Sequence, residues 1–112
     1  MAEGYQEIEH VETFSLTLVN NFELYNWGFI RLFRCGKIVI ITASGLYRTV
    51  DTTSDTKIAD LPFSVKSVAG TGAVTDDQNA KSPIIIASGT TLQINNVVAN
   101  KAVFFNLVTT IN

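Results

Sequence analysis

The sequence predicts an all-β fold, an antiparallel β-sandwich of jelly-roll-like form built from about eight short strands. Three observations carry that expectation. Apolar and polar residues alternate in short runs along the chain, turn residues separate the runs at roughly 8–12-residue spacing, and no helical stretch lies between them to make parallel crossovers. Composition agrees. The 112 residues suffice for one domain; 46% are hydrophobic and 16% charged, against ~25% charged in an average soluble chain. The β-branched and aromatic content excludes a disordered chain.

Taken in order, residues 1–12 read as a lead-in or linker stump, the end of a stalk, ahead of a β-sandwich head domain over residues 13–112. Ile8 and Val11 stand at helical spacing, but Gly4 interrupts and the segment is too short for a lone helix. Residues 13–19 alternate Phe14, Leu16 and Leu18 with Thr13, Ser15 and Thr17, a half-buried strand that Asn20-Asn21 ends. Residues 27–34 and 37–43 form the arms of a hairpin around Cys35-Gly36-Lys37, where Gly36 supplies the positive φ of a short loop. Both faces of each arm are apolar. Ile30 and Leu32 oppose Trp27, Phe29 and Phe33, while Val39 and Ile41 oppose Ile38 and Ile40.

Residues 49–57 read as a polar loop. Pro62 then suits the start or edge of a strand, and residues 63–69 alternate until Gly70-Thr71-Gly72 breaks them off. Residues 74–82 form a second polar loop. Residues 83–87 are wholly apolar and predict a buried strand; Ser88-Gly89 is a hairpin signal, and residues 92–95 alternate beyond it. After a third loop over residues 96–101, residues 102–110 make the last strand.

Catalytic groupings find no support, so the chain reads as a non-enzyme without cofactor. His10, the one histidine, lies in the acidic lead-in, and no nucleophile elbow, phosphate loop or paired-histidine zinc motif occurs. Cys35 is the one cysteine, which excludes an intrachain disulfide and a cysteine-rich zinc site and suits folding in a reducing cytoplasm. Asp51 with Asp55, and Asp76 with Asp77 and Asn79, offer hard oxygen atoms to calcium, but neither loop has the full EF-hand pattern and no metal ligands are assigned. Five glutamates precede the first basic residue, Arg31, and eight basic residues then face five aspartates. That distribution gives no basic stripe for nucleic acid, and no apolar run is long enough to form a membrane-spanning helix.

Carbohydrate binding is the chemistry the side chains suit. Sugars pack C–H surfaces on aromatic faces and bond to planar polar groups, so Tyr25, Trp27, Tyr47, Arg48 and Asp51 are the candidate ligand-binding residues. Trp27, opening a core strand, fits a core position as well as a platform. The apolar excess is a separate signal. One sandwich core cannot cover both faces of the hairpin, so a homo-oligomer of closed cyclic symmetry is expected to bury the second, and a trimer suits the fold.

The segments Gly28-Phe29-Ile30-Arg31-Leu32, Cys35-Gly36-Lys37-Ile38-Val39-Ile40 and Ile58-Ala59-Asp60-Leu61-Pro62 resemble the C-terminal head domains of tailed-phage receptor-binding, tail-fibre and peripheral baseplate proteins. The resemblance spans residues 14–112. It implies a trimeric β-sandwich head made in the host cytoplasm and carried on the virion tail or baseplate. It also implies host adhesion through cell-wall or surface saccharides, with other tail and baseplate proteins as partners. The alternative is a trimerisation or connector component without a sugar site.

Overall fold

Gly36, at φ 61, takes the first position of the two-residue loop joining β2 (Phe22–Cys35) to β3 (Ile38–Arg48), where a II′-type hairpin needs positive φ. The computed structural model describes residues 10–74 and 82–112. Around that hairpin lie β1 (Val11–Ser15), β4 (Thr56–Thr71), β5 (Ala73–Val74), β6 (Ile84–Asn95) and β7 (Val103–Thr110). One antiparallel sheet runs β1-β2-β3-β7-β5, and the second pairs β4 with β6. The expected β-sandwich is present, divided as five strands against two.

Alternation decides which side chains meet between the sheets. From the larger sheet come Ile30, Leu32, Val39, Ile41, Phe105 and Leu107; from the smaller come Ile58, Leu61, Val65, Ile85, Leu92 and Ile94. All are buried in one continuous core. The chain crosses between the layers at both ends. Leu18 bridges to Ala59 and Val65 to Ile111, so β4 is laced to the larger sheet at either side of its length.

Strand lengths differ from expectation at two places. Residues 56–71 form one strand through Pro62 rather than a loop and a later strand. Proline is tolerated there because the ladder with β6 is interrupted between Asp60 and Val65, leaving no hydrogen bond for its missing N–H to lose. Likewise Ser88-Gly89 is no hairpin. Gly89, at φ 59, lies inside β6 opposite Val65, where the register shifts, so its left-handed backbone makes a bulge that bends one long strand. Ile84 is exposed while Pro83, Ile85 and Ala87 are buried, so the apolar run 83–87 has one core face instead of two.

The boundaries of β1 also move. Pairing starts at Val11 and the strand leaves the sheet after Ser15. Of the lead-in expected over residues 1–12, residues 1–9 lie outside the described residues, as does the Asp76, Asp77 and Asn79 segment.

Two substitutions separate packing from backbone strain. Ile41→Ala empties a fully buried core position and is expected to cost about 2–5 kcal/mol in urea unfolding. Gly89→Ala meets no atom within 4 Å but places a Cβ on a left-handed backbone, at about 1–2 kcal/mol.

Candidate functional site

The ladder between β2 and β3 slips between Leu24 and Phe29, and Gly45 on the facing strand has φ 69. That irregularity seats the one tryptophan. A Cβ built on Gly45 would stand 2.8 Å from Trp27 Cζ3, so the indole occupies the space a side chain would need. Trp27 rests against the sheet yet remains 58% exposed.

Three more rings stand with it in near-parallel planes. Tyr47 and Tyr25 have centroids 4.2 Å apart at 25°, Tyr25 and Trp27 5.8 Å at 6°, and Trp27 and Phe104 5.9 Å at 17°. The row crosses β3, β2 and β7 on the face turned away from the core. Aromatic pairs at these separations hold one another in place. The two phenols are tied back as well. Tyr25 donates to the Asn100 carbonyl at 2.7 Å, and Tyr47 donates to Glu23 Oε1 at 3.3 Å. Tyr47 therefore titrates above the usual tyrosine range, first through partial withdrawal from water and second through the Glu23 carboxylate and its hydrogen bond.

Of the five residues singled out in the sequence, the structure brings Tyr25, Trp27 and Tyr47 together. Arg48 and Asp51 turn their polar atoms to their own chain. Arg48 donates from Nε to the Asn20 carbonyl at 3.0 Å and from Nη1 to Thr52 Oγ1 at 3.3 Å, with its guanidinium over the Phe22 ring. Asp51 Oδ1 accepts from the Ala99 amide at 2.9 Å. Together with Tyr25 they brace the loop of residues 96–101, whose Asn100 amide also bonds to the Arg48 carbonyl. Asp55, the calcium candidate paired with Asp51 in the polar loop before β4, accepts from Asn95 Nδ2. Among the described residues no three His, Cys, Asp or Glu side chains gather as a metal site.

Beside Trp27 and Phe104 the same face opens into a shallow groove of about 570 Å³, walled by Phe29, Thr42, Ser44, Gly72, Phe104 and Asn106. Thr42 Oγ1 donates to Asn106 Oδ1 at 2.6 Å, and the Arg31 guanidinium lies 4.8 Å over the Phe29 ring. Sequence reasoning passed over Phe104, Asn106 and Glu23. Their signal was parity, since Phe104 and Asn106 alternate with buried Val103, Phe105 and Leu107.

Comparison of the chain with protein-family models and with curated proteins gives no match. Among solved structures, the crystal structure of the head domain of phage bIL170, a receptor-binding domain of a lactococcal phage, is similar with a TM-score of 0.76. The match covers 92% of this chain and 100% of that one at 11% identity. The likeness is one of fold, and it agrees at that level with the resemblance drawn from the sequence.

Two measurements check the geometry. Arg48→Ala is expected to lower stability by about 1–3 kcal/mol in denaturant unfolding, because it removes the donor to the hydroxyl of buried Thr52. Glu23→Gln is expected to bring the Tyr47 pKa down toward the ordinary tyrosine value without fully restoring it, in an ultraviolet titration. The folded state favours the protonated phenol. Its contribution to stability is therefore present below the unfolded tyrosine pKa and lost as pH rises through the folded one.

Proposed function

We propose that this chain is a receptor-binding head domain of a phage tail or baseplate, that it recognises host cell-surface saccharides, and that it acts as a homotrimer. The observation that carries the proposal is the row of four near-parallel rings, Trp27 exposed and the other three half-buried, on the outer face of a fold like that of the bIL170 head domain. A sugar presents flat C–H surfaces ringed by hydroxyls. Rigid aromatic faces cover the former at little entropic cost, and the groove's Ser44, Thr42 and Asn106 supply partners for the latter. Tyr47, Tyr25 and Trp27 would make the ring contacts, whereas Arg48 and Asp51 would act by holding the neighbouring loop.

The trimer is supported by the other end of the same sheet face. Register aligns Phe33, Ile40 and Val108 across three strands, with Ile38 one row beyond. Val108 is 59% and Ile38 51% exposed. An aliphatic row of this kind invites a second copy, and closed cyclic symmetry satisfies all copies alike. Other tail or baseplate proteins would then hold the assembled head on the virion.

A connector without a sugar site is the second interpretation, favoured by the inward commitment of Arg48 and Asp51. Calorimetry with soluble fragments of host cell-wall polysaccharide separates the two. Binding is expected, and Trp27→Ala should weaken it about tenfold or more at a temperature where the variant remains folded, its unfolding midpoint falling by no more than the lost stacking on Tyr25 and Phe104 accounts for. An assembled wild type that binds no fragment supports the connector. Val108→Asp is expected to reduce the solution mass from three chains to one, since it puts charge in the contact; an unchanged mass places the trimer contact elsewhere.

A further inference from the structure

The four rings suit neutral sugar faces, but the strand row next to the groove carries a positive charge, that of Arg31, which such contacts leave unused. Of the three arginines, Arg34 lies beside Glu12 and over the Phe63 ring, and Arg48 is bonded to Asn20 and Thr52. Arg31 rests on the Phe29 ring, with no carboxylate or carbonyl engaging it among the described residues. Pairing aligns Arg31 with Thr42 and Thr42 with Asn106, one polar row across β2, β3 and β7 between the aromatic and aliphatic ends of the face. Because Asn106 Oδ1 already accepts from Thr42, its Nδ2 is left to donate. The row therefore offers a guanidinium fork and an amide N–H, with the Ser44 hydroxyl on the same groove wall.

We infer that this row binds an anionic group, a carboxylate or a phosphate, on the saccharide whose neutral rings lie against Trp27 and Phe104. The inference builds on the saccharide-binding proposal above. A guanidinium matches the paired oxygens of either anion with two parallel hydrogen bonds, and the aromatic ring beneath it fixes its plane. The opposite end of the aromatic row carries the Glu23 carboxylate beside Tyr47. A saccharide with one acidic substituent is thus attracted at one end and repelled at the other, which sets its direction along the sheet.

An array of bacterial surface saccharides, with neutral, uronic-acid and phosphodiester members, tests this on the wild type, Arg31→Gln, Arg31→Lys and Trp27→Ala. Arg31 is exposed and, among the described residues, touches only the Phe29 ring through its guanidinium, so its variants should fold as the wild type does. The wild type is expected to favour acidic members about tenfold, with the preference shrinking as salt rises. Arg31→Gln should erase the preference while sparing neutral members, Arg31→Lys should retain part of it, and Trp27→Ala should weaken both classes. The balance between uronic-acid and phosphodiester signals identifies the anion. Wild-type binding confined to neutral members, or an acidic preference that survives Arg31→Gln, overturns the inference while the saccharide proposal stands. Binding to no member overturns both.

Discussion

The hairpin of β2 and β3 is apolar on both faces, and the rest of the molecule is arranged around that constraint. Alternation sends Ile30, Leu32, Val39 and Ile41 inward, where β4 and β6 cover them. The same alternation sends Phe29, Phe33, Ile38 and Ile40 outward, where no described element of the chain covers them. A two-layered sandwich has a single interior, so the outer face is available for other molecules. Its residues are sorted along the strands, with rings at one end, a polar row at the middle and aliphatic side chains at the other.

The ring end owes its rigidity to a local fault. Where the β2–β3 ladder slips, Gly45 leaves room for Trp27 to settle on the sheet. The adjoining loop of residues 96–101 is fastened by Tyr25, Arg48 and Asp51, and Thr52 pairs with Val97 beneath it. Side chains fixed in this way lose little entropy when a ligand arrives. Arg48 and Asp51 thereby serve a neighbouring surface without presenting their own polar atoms to it.

Much of the fold was legible because period-two alternation is a strong local signal. It gave the central hairpin, with Trp27, Phe29 and Phe33 on the face opposite Ile30 and Leu32, and the final strand. Pro62, read as the start or edge of a strand, does lie in an edge strand but not at its start, and Gly89 is no turn: each sits where the β4–β6 ladder is already interrupted. Such interruptions depend on the partner strand's register, which local sequence does not state. In the site, the types of Tyr25, Trp27 and Tyr47 marked them, but Phe104 comes from a strand almost eighty residues away in sequence. Arg48 and Asp51 have the right chemistry for a sugar. Only the fold reveals that Asn20, Thr52 and Ala99 take it up.

Under the proposed function, the ring end of the outer face meets a ligand while the aliphatic end meets other copies of the chain. Acrylamide quenching of the fluorescence of Trp27, the only tryptophan, in the assembled protein tests this most directly. The quencher is expected to reach the indole as freely in the assembly as it would a side chain 58% exposed in the single chain. A Trp27 shielded in the assembly would contradict it, placing the aromatic row inside the interface instead of at the ligand surface.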